Sequence, residues 1–162
     1  MPEENLNLWA PWRVGFILGP KAPGCFLCEC PAADKDEENL ILGRGETCFA
    51  ILNRYPYTNG HVLIAPYRHT GDLTELSDAE LTEIMIMTRG WVNASKRAMN
   101  PHGFNVGFNL GEAGGAGVAD HVHLHIVPRW RGDTNFMSTL GDARVVNQSL
   151  AESCRLLRSH AP

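Results

Sequence analysis

The chain has no apolar run long enough to cross a bilayer, although 44% of its 162 residues are hydrophobic; a spanning helix needs about 20 such residues in succession. Its opening, MPEENLNLW, has two acids and no basic segment followed by an apolar stretch, so neither a signal peptide nor a membrane anchor is expected. Basic residues are in the minority. Lys and Arg number 14 against 18 Asp and Glu, and a net charge of -4 argues against nonspecific nucleic-acid binding while still allowing a small anion held by local arginines. Internal repeats and low-complexity linkers are absent too, and the length suits one domain with a sizeable core. The five cysteines are odd in number, which speaks against a disulfide framework, and CFLC, with no second Cys-x-x-C, is only one half of a tetrahedral zinc site. Three of them, Cys25, Cys28 and Cys30, crowd together, which suits a metal and a reducing, cytoplasmic compartment.

What is present reads as a mixture of strands and helices. Residues 1–24, with Pro2, Pro11, Pro20, Pro23 and the segment LWAPWR, read as an irregular packed arm, and CFLCECPAADKDEENL as loop up to about Leu40. GETCFAILNR reads as a strand entering the turn PYTNG, and HVLIAP as the next strand, ending at Pro66. From Ser77 to Met99 the pattern predicts a helix. Ser77 and Glu80 form a capping box, and Leu81, Ile84, Met85, Thr88, Trp91, Val92 and Met99 recur at helical spacing, with Gly90 as an internal weak point. GFNVGFN, with Phe104, Val106 and Phe108 alternating, predicts a strand, as does HVHLHIV; Leu150, Cys154 and Leu157 suggest a short closing helix.

The stretch DHVHLHIVPRW holds three of the seven histidines. On a strand, His121, His123 and His125 share one face while Val122, Leu124 and Ile126 pack inward, so three imidazoles are expected to line an open surface. Such a surface fits a histidine-rich sheet face, a three-histidine catalytic zinc site, or a nucleophilic histidine with flanking helpers. Just before it runs NLGEAGGAGVAD, residues 109–120, with Gly111, Gly114, Gly115 and Gly117. It lacks the Gly-Lys-Ser/Thr of a P-loop and leads into a strand, unlike a dinucleotide fingerprint. It is either a flexible hairpin loop or an anion nest of backbone N–H groups, and the neighbouring histidines favour phosphate. Trp9, Trp12 and Trp130 suit a core or interface as well as a base-binding slot, Arg129 and Arg131 either a solvated surface or a positive field, and His102 and His160 the surface.

With HVHLHIV, the sequence resembles the histidine triad family, whose motif is His-x-His-x-His followed by two apolar residues. The resemblance extends to NRYPYTNGHVLIAPYRH, GFNVGFNLGEAGGAG and PRWRGDTNF. It divides the chain into an arm at residues 1–44, a family core at 45–137 and an extension at 138–162. LWAPWR and VPRWRGD look most like the branch of fragile histidine triad hydrolases and bacterial diadenosine tetraphosphate phosphorylases. The resemblance implies an α+β fold, a five-stranded antiparallel sheet with one long helix packed on it and the triad exposed on the other side, two protomers joining into a ten-stranded sheet. It makes His123 the nucleophile toward an α-phosphorus and gives leaving-group assistance to His125. His121 would orient the nucleophile from behind, and His61 would support the triad. Asn53 would hold the ribose, and Asn109 the phosphate beside a nest that includes Gly115 and Gly117.

One departure stands at Gly117, four residues before His121, where the family commonly has Ser or Gln touching the phosphate or leaving group. His125 in the third triad position, and not Gln, disfavours a sugar-nucleotide transferase. Family members that bind zinc complete a Cys-x-x-C with two histidines, here Cys25, Cys28, His69 and His121, with Cys30 as an alternative to Cys28 and unligated core cysteines as the rival reading. Such a closed site would be structural, and no organic cofactor is implied. The expected function is cleavage of dinucleoside polyphosphates such as diadenosine tri- or tetraphosphate through a nucleotidyl-His123 intermediate, with adenine nucleotides as partners. Phosphorolysis and a slow-turnover nucleotide sensor are the alternatives.

Overall fold

The computed structural model describes residues 24–111, 113–133, 146 and 148–162. Trp9, Trp12 and the rest of the proline-rich arm lie outside the described residues. The elements in order are α1 (Phe26–Ala32), β1 (Ile41–Arg44), β2 (Cys48–Leu52), β3 (Val62–Pro66), a 3-10 turn (Leu73–Glu75), α2 (Asp78–Met99), β4 (Gly103–Phe108), β5 (Leu124–Arg129) and α3 (Leu150–Arg158). The strands form one five-stranded sheet in the order β1-β2-β3-β5-β4, and every neighbouring pair is antiparallel. The expected α+β architecture with a long helix on the sheet is therefore present.

Alternation along the strands divides the core in two. Cys48, Ala50, Leu52, Val62, Ile64, Leu124 and Ile126 face α2 and pack with its Ile84, Trp91 and Ala94. Phe49, Ile51, Leu63 and Ala65 face the other way and pack with Ile41 and with Leu27 of α1. Here three expectations are corrected. Residues 26–32, read as loop, form a short helix, because Leu27 finds a fully buried seat on the sheet that local sequence does not reveal. The triad face is not open: His121, His123 and His125 are buried, at 0%, 6% and 8% exposure, with Cys25 beside His121 and the Tyr57 ring beside His125. Only His125 lies within β5; His121 and His123 precede the ladder, although the alternation of faces already holds for Val122 and Leu124.

α2 begins as its sequence dictates. Ser77 accepts from the Glu80 N–H and Glu80 accepts from the Ser77 N–H, a reciprocal capping box, and Arg68 pairs with the same Glu80 carboxylate at 2.9 Å. Its buried stripe runs through Glu80, Ile84, Thr88, Trp91, Ala94 and Ser95, which leaves Leu81 and Met85 exposed, contrary to the helical spacing read from the sequence. Gly90 does not break the helix; a Cβ there would lie 2.7 Å from the Pro162 ring, so the missing side chain makes room for the C-terminal residues. α3 docks as expected through Cys154 and Leu157, and its Arg158 donates twice to the Ile41 carbonyl.

The turn between β1 and β2 is held by a residue with no sequence signature for that task. The Glu83 carboxylate on α2 accepts from the backbone N–H groups of Glu46, Thr47 and Cys48 at 2.8, 2.6 and 2.9 Å, and from the Thr47 hydroxyl. Charge-assisted bonds to otherwise unpaired amides are worth more than neutral ones. Glu83→Ala is expected to destabilise the protein by about 2 kcal/mol, read as a lowered urea midpoint at unchanged slope.

Candidate active site and metal cluster

The turn between β2 and β3 carries half of the site. Asn53 closes it locally: its side-chain oxygen accepts from the Tyr55 N–H at 2.9 Å, and its backbone N–H donates to the His61 carbonyl at 2.8 Å. Gly60 completes the reversal at φ +70, a conformation that favours glycine, and delivers His61 into the sheet interior, fully buried. The Thr58 hydroxyl donates to the Pro128 carbonyl at 2.8 Å and fastens the turn to the end of β5.

Two chains of hydrogen bonds then decide where the protons sit. The Tyr57 N–H donates to His61 Nδ1 at 3.1 Å, and the Asn53 amide donates to the same nitrogen at 3.2 Å, so that nitrogen carries no proton. His61 therefore holds its proton on Nε2 and donates it to His125 Nδ1 at 2.9 Å, which in turn leaves the His125 proton on Nε2. The Asn109 Nδ2 lies 3.4 Å from that Nε2, and only with the side-chain amide turned over does its oxygen accept the Nε2 proton. The second chain is shorter. His123 Nδ1–H donates to the His121 carbonyl at 2.8 Å, leaving the lone pair on His123 Nε2 available. The His123 and His125 rings lie with centroids 4.8 Å apart. The pair can thus supply nucleophilic attack from one imidazole and a hydrogen bond to the leaving oxygen from the next.

Burial keeps these rings neutral. Desolvation lowers His123 below its ordinary value of 6.5, and desolvation with repulsion from His123 takes His125 down to about 4. The unfolded chain takes up this proton near pH 6.5 and the folded chain only near pH 4, so stability is full above pH 6.5 and falls as the pH drops toward 4. A lower urea midpoint at pH 5 than at pH 7 is expected, and His125→Gln should shrink that difference.

Behind the triad lies a second cluster. One ligand atom from each of Cys25, Cys28, His69 and His121 falls within 4.8 Å of the others. His121 Nε2–H donates to the Pro66 carbonyl at 2.9 Å, which turns its bare Nδ1 toward Cys25 Sγ at 3.3 Å and Cys28 Sγ at 3.5 Å; His69 Nδ1 lies 3.3 Å from Cys28 Sγ. A tetrahedral zinc with ordinary bond lengths sets sulfur and nitrogen about 3.6 Å apart. The donor set, its spacing and the neutral, carbonyl-oriented imidazole fit zinc. Cys30 is not in the cluster, so the ligand set expected from the sequence is the one brought together.

Other expected residues are placed as follows. Gly115, at φ +81, and Gly117 sit in the exposed loop between Asn109 and His121, and a Cβ at either would meet nothing within 4 Å, so a side chain at Gly117 has room. Arg129 does not offer a bare charge: it pairs with Asp133 at 2.6 Å and reaches Asn105. Sequence reasoning missed Tyr57, whose amide sets the His61 proton and whose ring lies against His125 at 10° between planes; the only signal was its place two residues after an Asx-type turn.

These observations define a buried, neutral imidazole pair on a five-stranded α+β sheet, the class of site expected from the triad motif. The HIT domain matches residues 34–132, and the chain belongs to that family. Over 164 aligned residues it is 39% identical to the AP-4-A phosphorylase of Mycobacterium tuberculosis strain H37Rv, covering 96% of this chain and 84% of that protein. A zinc-bound histidine triad family protein from Mycobacterium smegmatis is similar in structure, with a TM-score of 0.65 and 29% identity over 82% of this chain and 90% of that one. The C. elegans NitFhit protein aligns at a TM-score of 0.62 and 28% identity over 75% of this chain and 27% of its own. Among the described residues no helix is long and apolar enough to cross a membrane.

Proposed function

We propose that the protein cleaves dinucleoside polyphosphates by nucleotidyl transfer through His123. The observation that carries this reading is the pair of ring contacts, His123 Nδ1 at 2.8 Å from the His121 carbonyl and His125 Nδ1 at 2.9 Å from His61 Nε2, which assign a lone pair to His123 Nε2 and the proton to His125 Nε2. His123 Nε2 attacks the α-phosphorus, a P–N bond forms as the bridging P–O bond breaks, and the nucleotide departs as its phosphate anion, whose oxygen accepts a hydrogen bond from His125 Nε2–H. An acceptor oxygen then attacks the same phosphorus, the P–N bond breaks with its electron pair returning to His123 Nε2, and a water acceptor gives its proton to a product phosphate or to solvent. Asn109 and the loop N–H groups around Gly115 and Gly117 meet the charge on the phosphoryl oxygens. Asn53 has both ends of its side chain engaged with His61 and Tyr55, which supports a role in holding the relay over the ribose contact expected from the sequence.

The acceptor distinguishes two readings, water for a hydrolase and inorganic phosphate for a phosphorylase. The second is favoured by the 39% identical relative named AP-4-A phosphorylase. Product analysis with diadenosine tetraphosphate, with and without phosphate, separates them. AMP plus ATP in either buffer means hydrolysis, ADP plus ATP only with phosphate means phosphorolysis, and absence of both products overturns the proposed substrate in favour of a binding-only sensor.

A structural zinc held by Cys25, Cys28, His69 and His121 would tie α1 to the triad segment and supply cross-linking without reaction chemistry. We infer a homodimer joined at β4, an edge strand bonded only to β5 among the described residues, with Val106 45% exposed. Cys30, Cys48 and Cys154, unpaired by disulfides and outside the metal cluster, support a reducing, cytoplasmic setting.

A further inference from the structure

We propose that Tyr57 is a positioning residue for His125, fixing the direction in which its Nε2 proton points at the leaving group. The inference rests on the reading of His125 Nε2–H as hydrogen-bond donor to the leaving group given above. The Tyr57 ring lies nearly parallel to the His125 imidazole, with 10° between planes and centroids 5.8 Å apart, and leans on His61 at 4.5 Å and 41°. These separations lie in the range of favourable offset stacking. One residue therefore acts twice on the same relay. Its backbone N–H chooses the His61 tautomer, and its ring bears on both imidazoles that carry the proton.

The relay needs such a support. The polar restraints on the His125 ring are one hydrogen bond at Nδ1 from His61 and the long Asn109 contact at 3.4 Å, so small changes of χ2 that swing Nε2 are opposed mainly by packing. A flat ring against the imidazole opposes that swing without adding a charge or a competing acceptor. The platform itself is rigid. Pro56 precedes Tyr57, the Asn53 side chain braces Tyr55, and the Thr58 hydroxyl is fixed to Pro128. A misaligned donor loses much of what a positioned hydrogen bond to developing negative charge contributes, commonly about 100-fold or more in rate.

Substitution separates the two actions, since any residue other than proline keeps the amide. Tyr57→Leu should leave the His61 and His125 tautomers unchanged while freeing the ring. The test uses adenosine 5′-phosphate esters of phenol, which departs poorly without a proton, and of p-nitrophenol, which departs readily without one. Tyr57→Leu is expected to lower kcat on the phenyl ester by roughly 30-fold and on the p-nitrophenyl ester by less than about threefold, with KM little changed and Tyr57→Phe restoring the rate. Equal losses on both esters, or no loss, would overturn the proposal. A second measurement stands apart from turnover: in 15N-histidine spectra the His125 ring signals should broaden in Tyr57→Leu with the tautomer retained, and unchanged lines would count against positioning. If the native enzyme cleaves the esters but no dinucleoside polyphosphate, the substrate reading fails alone; if it cleaves neither, the spectra decide for or against Tyr57.

Discussion

Replacing His123 with alanine is expected to lower turnover of a dinucleoside polyphosphate by about four orders of magnitude or more, while nucleotide still binds. The size of the loss follows from the absence of a substitute among the neighbouring imidazoles. His61 has its Nδ1 filled by the Tyr57 and Asn53 donors and its Nε2 proton committed to His125. His121 has Nε2 on the Pro66 carbonyl and Nδ1 among the thiols. His125 presents a proton and not a lone pair. Only His123 combines a neutral ring, an occupied Nδ1 and a bare Nε2. Wild-type protein quenched during turnover should carry one nucleotide on the peptide containing His123, and the variant none. Turnover retained in His123→Ala, or a label on another residue, would remove the mechanism; binding retained without turnover in the wild type would instead support the sensor.

Much of this was legible because local rules sufficed. The capping box at Ser77 and Glu80 and the aromatic and aliphatic run that predicts β2 are each set within a few residues and have their expected structural counterparts, and the His-x-His-x-His spacing keeps its alternation of faces although only His125 lies in a strand. What escaped depends on contacts distant in sequence. α1 packs through Leu27 into the cluster of Ile41, Phe49, Ile51 and Leu63, and the contacts of Cys25 with His121 and of Tyr57 with His125 likewise join segments far apart in the chain. Leu81 and Met85 share the helical period of the core face, and only the actual rotation of α2 about its axis shows that they point outward. Glu83 reads as an ordinary surface acid until it is seen to cap the turn at Glu46, Thr47 and Cys48, 35 or more residues earlier. In the site the residue types were readable but the proton positions were not, because they are fixed by Pro66, Tyr57 and the His121 carbonyl, backbone groups with no sequence signature.

The cluster behind the triad gives the second large effect. Protein prepared with zinc is expected to hold one equivalent per chain, and Cys25→Ser, Cys28→Ser and His69→Ala each to lose it, whereas Cys30→Ser keeps it. A metal present at about a thousand times its dissociation constant stabilises the fold by about 4 kcal/mol, which in a chain of this size is roughly 8–16 °C in Tm. The reason the effect should be large lies in what the four residues join: Cys25 and Cys28 bracket the start of α1, His69 follows β3, and His121 opens the triad segment. The effect on chemistry should be small by comparison. The group that orients His123 is the backbone carbonyl of His121, which every one of these variants retains. Below its melting temperature the Cys25→Ser protein should therefore turn over within about tenfold of wild type, against the four or more orders expected for His123→Ala. Zinc retained in Cys28→Ser would refute the ligand set, and a loss of turnover in folded Cys25→Ser as large as that of His123→Ala would show that the cluster takes part in the reaction and is not structural alone.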